Sequence, residues 1–410
     1  MGRKVFGVLL LGILSWGLCA AEPIKIGALL PLSPPGSYAS GEEMKWAMEI
    51  ALEEINAAGG LLGRPVELIV ADTRGLPEEA AAATERLITK EGVVAIVGNF
   101  HSSCALAAMP IVHKYHIPYI GAEPWADELT ASGYPEIFRI TVSNSMYSKV
   151  VADWIIAAGF KNIVAMVENT DWGLGAWDAL VPWLEKAGVQ YQRAVADLTE
   201  EDFTPQLLRW KSMKPRPELF LAWMTGPAAY RLLNQSKEIG FAPSPETLYK
   251  GESPVLFPEL WENCGENGLY VIMHEIGLPE SAFNDKTRAF VAAFQAKHGR
   301  TPTSLGMEGY DSLALMAEAI KQAGSTDPDA IIDALENIHW VGVQGEYYFT
   351  YTSKNPVPPD MPAWLWHQWE EVPMILRQYS KVGQSHIDAP IIWPRKFSTL
   401  LYIPVPECAK

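Results

Sequence analysis

Short β-branched or apolar runs alternate along this chain with longer stretches in which apolar residues recur every three to four positions. The first run, 24–30, reads as a strand and breaks at the turn-rich Pro31-Leu32-Ser33-Pro34-Pro35-Gly36. Met44, Ala47, Ala51 and Ile55 then repeat at helical spacing. They predict one buried helix face, with Ser40 and Glu43 as a capping box at its start and Gly59-Gly60 as its stop. The rhythm continues with a strand at 66–71, a helix at 78–90, a strand at 93–97, a helix at 103–114 and a strand at 117–120. A second series follows Phe138-Arg139-Ile140: a helix at 146–158, a strand at 162–167, helices at 173–186 and 204–213, a strand at 219–223 and a helix at 227–239. Such alternation predicts parallel sheets with crossover helices on their faces, here twice over. Two amphipathic helices at 282–297 and 309–322 have no strand between them and are expected to return to the first sheet. The tail from Thr352 reads as short strands and packed loops, with Trp364, Trp366 and Trp369 as one face of a strand.

Length agrees with two units, since 410 residues exceed what one hydrophobic core usually supports. The first residues read as an address. Arg3 and Lys4 precede an apolar run from Val5 to Leu18, and Cys19-Ala20-Ala21 offers small residues for signal-peptidase cleavage after Ala21. The run is short for a membrane span. Lipid attachment at Cys19 is the alternative, although Leu18 stands where that signal prefers Gly, Ala or Ser. Loss of Arg3 and Lys4 takes the net charge from −16 to −18, which argues against nucleic acid or an anionic membrane surface as a partner. The mature chain is expected in the periplasm or another extracytoplasmic space. It keeps Cys104, Cys264 and Cys408, enough for one intrachain disulfide at most and too scattered for a zinc framework.

Signals for catalysis are poor. His113 and His116 lack an acid between them and read as a surface helix, and Gly173-Leu174-Gly175 lacks the third glycine of a dinucleotide loop. Cys104 near His101 is the only nucleophile–base pair that an exported amide hydrolase would have, and a buried free cysteine is the commoner meaning. No enzyme activity, cofactor or metal is expected.

The opening Ile24-Lys25-Ile26-Gly27-Ala28-Leu29-Leu30-Pro31-Leu32-Ser33, then Gly36-Ser37-Tyr38, then the helix end from Glu53 through Gly59-Gly60-Leu61-Leu62-Gly63-Arg64, resembles the leucine/isoleucine/valine-binding protein family. These are the type I periplasmic solute-binding proteins of ABC transporters. Val94-Ala95-Ile96-Val97-Gly98 with Ser102-Ser103, Ile117-Pro118-Tyr119-Ile120, Asp202-Phe203-Thr204 and Ala242-Pro243 leading to Gly251-Glu252 agree in order. The resemblance implies two doubly wound α/β lobes of parallel sheet joined by a three-strand hinge that closes on ligand. Crossings are expected near Ser143, His274 and Tyr351. Residues 22–142 with 274–350 would form lobe one, and 143–273 with 351–410 lobe two. It also implies an amino acid, branched-chain or related, as ligand and an ABC permease as partner. A sensory module of the same fold is the other reading, and it would have no associated permease.

In open α/β sheets the ligand sits beyond the carboxyl ends of the strands. The loop Asn99-Phe100-His101-Ser102-Ser103 leads from a strand into a helix, and its free N–H groups and two hydroxyls suit a carboxylate. By the resemblance, Ser102 binds the ligand carboxylate, Glu252 receives its ammonium, Trp172 is an aromatic lid and Tyr38 a cleft aromatic. Each has a plainer alternative: helix N-cap, solvated acid, core indole, turn tyrosine. Two departures unsettle leucine as the ligand. Trp125 stands where the family has a Thr and Glu123 where it has a small residue, and Met224-Thr225-Gly226 replaces an aromatic segment, leaving the Thr225 hydroxyl as a contact. Another amino acid, a small amide or urea, or an aromatic carboxylate becomes a candidate.

Overall fold

The computed structural model describes residues 21–407, so the leader with Cys19, and Cys408, lie outside the described residues. The first sheet is built by β1 (Ile24–Leu30), β2 (Val66–Asp72), β3 (Ala95–Gly98), β4 (Tyr119–Gly121) and β5 (Ile137–Arg139). Its order is β2-β1-β3-β4-β5, all parallel. Helices α1 (Tyr38–Ala57), α2 (Pro77–Arg86), α3 (Ser102–Tyr115) and α4 (Glu128–Ala131) make its connections. Alternation along β1 sorts the two faces: Ile24, Ile26, Ala28 and Leu30 enter one core, and Leu29 enters the other with α2 and α3.

The second sheet runs β14-β13-β10-β9-β8-β6-β7. Its strands are β6 (Asn162–Glu168), β7 (Gln190–Ala196), β8 (Leu219–Trp223), β9 (Leu248–Lys250), β10 (Ile272–Ile276), β13 (Met374–Gln378) and β14 (Ile391–Trp393), after the separate hairpin of β11 (Trp340–Val341) and β12 (Glu346–Tyr347). β6 to β10 are parallel, and the late strands β13 and β14 add antiparallel at one edge. Helices α5 (Asn144–Ala158), α6 (Asp171–Ala187), α7 (Thr204–Lys211), α8 (Gly226–Glu238) and α9 (Glu259–Cys264) accompany it. On β8, Leu219, Leu221 and Trp223 enter one core while Phe220 and Ala222 enter the other, as burial on both faces requires. The fold is therefore the expected α/β pair of parallel-sheet lobes.

Helices α10 (Asp285–His298), α11 (Ser304–Ala323) and α12 (Pro328–Glu336) return to the first lobe, where Phe290, Phe294, Leu313 and Ile331 join the core around β1. The chain thus passes between lobes after Arg139, after Ile276 and between Trp369 and Met374. The segment after Tyr351, assigned to lobe two from sequence, lies on β5 instead. Arg139 N–H donates to the His367 carbonyl, Trp369 N–H donates to the Arg139 carbonyl, and Trp369 is buried in the first core. The three tryptophans do not share a strand: Trp364 falls in a 3-10 turn, because Pro362 and the pairing with β5 bend the chain there.

The expected capping box does not form. α1 starts at Tyr38, and the buried Glu43 carboxylate accepts from Thr303 N–H and its hydroxyl, both at 2.6 Å, and meets Arg300 at 2.5 Å. It ties α1 to the start of α11. Among the described cysteines, Cys104 and Cys264 are free and buried. No described helix is long and apolar enough to cross a membrane.

Candidate functional site

A narrow cavity lies between the lobes at the carboxyl ends of the strands, with about 30 Å³ free to the centre of a water-sized sphere, within about 460 Å³ of non-atom space that includes open solvent. The first lobe contributes Phe100, His101, Ser102 and Ser103 after β3, and Glu123 and Trp125 after β4. The second contributes Glu168 at the end of β6 and Thr170 after it, Trp172 on α6, Thr225 after β8, Glu252 and Ser253 after β9, and His274 on β10. Gly98 makes the β3 turn possible. Its φ is +103°, and a Cβ there would stand 2.6 Å from the Leu29 carbonyl oxygen.

Seven of the eight residues singled out from sequence line this space: Ser102, Ser103, Glu123, Trp125, Trp172, Thr225 and Glu252. Tyr38 does not. As the first residue of α1 it is partly exposed, in a separate small pocket with Gly226, Pro227 and Tyr230.

The first amide N–H groups of α3 have no partner within the helix, so their end of the cavity carries partial positive charge. Ser102 Oγ accepts the N–H groups of Trp125 and Ala126 at 2.9 and 3.0 Å, which leaves its proton to donate. Ser103 Oγ accepts the Asp171 N–H at 3.1 Å, a hydrogen bond from one lobe to the other. His101 Nε2 accepts the Ser37 N–H, and burial pushes its pKa down to about 4, so the ring is neutral at pH 7.

Trp125 inserts into the second lobe's core. Its ring lies 4.8 Å from Tyr147, 5.3 Å from His274 and 6.1 Å from Trp172, the last two edge-on. The two indoles and Phe100 supply the apolar walls.

The acids differ in how they are answered. Lys250, fully buried, meets Glu252 at 2.5 Å, and the Tyr147 hydroxyl donates to the same carboxylate oxygen at 2.6 Å. Burial pushes the Lys250 pKa down and the Glu252 pKa up, while their contact opposes both shifts. His274 stands 3.4 Å from Glu252, and burial, then the Lys250 charge, hold its pKa well below the usual histidine range. Glu252 therefore already has a cation, which the sequence reading had reserved for the ligand.

Glu168 has none. Its carboxylate accepts the Thr225 N–H at 2.8 Å, the Thr225 hydroxyl at 2.6 Å and the Thr170 hydroxyl at 3.0 Å. Burial outweighs these donors and raises its pKa to about 7. Glu123 is likewise raised to about 7 by burial, and it shares the Thr141 hydroxyl, 2.9 Å from each, with Glu308 on α11. Burial, then Glu123 itself, hold the Glu308 pKa well above the carboxylate range.

Sequence reasoning missed Glu168, Thr170, Ser253, His274 and Gly75 as lining residues. Glu168 had a signal: it is the acid that ends an apolar strand, where ligands bind. The Cys104–His101 pair does not assemble, since burial raises the thiol to about 12 and Cys104 is not in the cavity wall. His113 and His116 both contact Glu136, at 2.9 and 2.5 Å, on the far end of α3. No group of described residues is arranged to hold a metal ion.

Two parallel-sheet lobes with polar groups converging on a cavity between them define a two-lobed solute-binding protein. A family model for periplasmic binding proteins matches residues 23–365, and the chain belongs to that family. It is 25% identical over 341 residues to a leucine-, isoleucine-, valine-, threonine- and alanine-binding protein of Pseudomonas aeruginosa, covering 82% of this chain and 87% of that one. A leucine-binding protein of Thermotoga maritima superposes with a TM-score of 0.76 at 24% identity, over 90% of this chain and 97% of the other. A solute-binding protein of Rhodopseudomonas palustris, solved with 3,4-dihydroxybenzoic acid, gives 0.73 at 21% identity, over 88% and 94%.

Proposed function

We propose that this protein is the extracytoplasmic receptor of an ABC importer and holds an amino-acid-like solute between its lobes. The observation that carries the reading is the meeting of opposite chemistries in one cavity lined by both lobes. Helix N–H groups without a partner in their helix and serine hydroxyls stand at α3, the buried carboxyl of Glu123 stands on the same lobe, and that of Glu168 stands across the cleft. A carboxylate suits the N–H groups and hydroxyls, and an ammonium suits the carboxyls. Contacts to both lobes at once exist only when the cleft is shut, so ligand favours the closed form, which a permease partner would read.

An aromatic carboxylate, as in the Rhodopseudomonas palustris protein, is the weaker candidate. Among the described residues neither Lys nor Arg lines the cavity, and three carboxyls do. Burying an anion among them without a cation is unfavourable.

The test is thermal-shift and calorimetric titration of the chain from residue 22 against amino acids, amides and aromatic acids. Ligand at a thousandfold excess over Kd should add about 4 kcal/mol of stability. Trp172→Ala should remove that gain. A panel in which nothing shifts the melting point would sink the reading.

A further inference from the structure

A zwitterionic amino acid brings one positive group, and the cavity offers more carboxyl than one ammonium can answer. Lys250 serves Glu252. Glu123, backed by Glu308, and Glu168 stand on opposite lobes with no cation against either among the described residues. Around Glu123 are Glu308, Thr141 and Trp125, and around Glu168 are Thr225 and Thr170, with the Glu252 charge felt by both. His101 and His274, the remaining basic groups of the wall, are neutral. The Ser253 hydroxyl, 6% exposed and in the wall of the same space, has no hydrogen-bond partner among the described residues. Three aromatic rings, Phe100, Trp125 and Trp172, line the same space and can accept a cation on their faces.

We infer that the solute carries net positive charge, with a cationic group at Glu123 on one lobe and a second, or the spread charge of a guanidine or amidine, at Glu168 on the other. This rests on the solute-binding reading of the cleft and names its substrate class as basic amino acids, diamines or guanidines. A branched-chain side chain would leave the second carboxyl buried with hydrogen-bond donors but no opposite charge. A guanidinium matches it with paired N–H donors.

The experiment titrates the ligand-free protein with L-arginine, putrescine, L-leucine and benzoate by calorimetry between pH 5 and 8. A basic probe is expected to bind at least tenfold more tightly than leucine or benzoate at pH 8. Cation binding favours the ionised carboxyls, so its affinity should rise with pH and level off above about 7, with proton release that grows below that point. Glu168→Gln should weaken the basic probe at least tenfold and flatten the pH profile. If that variant fails to fold, the wild-type pH profile and Glu123→Gln still decide. Leucine or benzoate binding as well as the basic probes, or a pH-independent affinity for them, would overturn the inference while leaving the solute-binding reading intact. Silence from all four probes and from the wider panel of amino acids, amides and aromatic acids would overturn both.

Discussion

Lys250 and Glu252 stand two positions apart across Gly251 where β9 ends, and both are almost wholly excluded from water. Removing one partner of such a pair strands the other charge in the interior, which typically costs about 3–5 kcal/mol, whereas replacing both with uncharged groups costs much less. Glu252→Ala is therefore expected to destabilise the ligand-free protein by roughly that amount, measured by urea unfolding. Lys250→Met combined with Glu252→Gln should recover most of the loss. Equal instability of the single and double variants would show that the Tyr147 hydroxyl and His274, rather than the charge pair, hold this corner. The consequence for ligand binding is that loss of affinity in Glu252→Ala cannot be read as a lost ligand contact, whereas Trp172→Ala and Glu168→Gln leave the Lys250 pair in place.

At the level of elements, α1 and α11 pack so closely that a Cβ on Gly309 would lie 2.6 Å from the Met44 carbonyl oxygen and 2.8 Å from its Cα. Backbone cannot yield as a flexible side chain does, so the helices must part. Gly309→Ala gains up to about 1 kcal/mol of helix propensity, yet overpacking of this kind costs roughly 1–3 kcal/mol. A net loss of stability in urea is expected, and a stabilised variant would show that the contact has room. The same pair of helices shows what the chain makes legible. β1, β6, β8 and the covering faces of α1 and α11 could be read because their apolar periods are uninterrupted and both sheet faces are buried. β7 was missed because it is an edge strand whose Gln190, Gln192 and Arg193 face water. β10 was hidden by His274 and Glu275, polar residues satisfied by Lys250, Glu252, Arg377 and His386, some of them a hundred positions away. Glu43 misled for the same reason, since its partners Arg300 and Thr303 lie on the far side of the chain. Most of the cleft was legible because loops after parallel strands are named by topology alone. The pairing of Glu252 with Lys250 was open to a strand reading, since residues i and i+2 share a face.

Across the whole molecule, closure depends on a first-lobe residue that is buried in the second lobe's core. Trp125 is 4% exposed, packed against Tyr147, His274 and Trp172, and opening the cleft withdraws it from that cluster. Burying such a ring is worth about 2–3 kcal/mol, so the shut form has stabilisation of its own before any solute arrives. The cross-lobe hydrogen bond from Asp171 N–H to Ser103 adds about 1 kcal/mol to the same state. Trp125→Ala should then shift the ligand-free equilibrium towards the open form by roughly 30-fold or more, since about 1.4 kcal/mol is a factor of ten. Small-angle scattering is the measurement, because it reads the separation of the lobes whether or not Trp125 also touches ligand. The ligand-free variant is expected to have a larger radius of gyration than the wild type, and saturating solute should draw the two values together. An unchanged ligand-free radius would mean that the indole fills a site it does not control, and that closure is left to the solute alone.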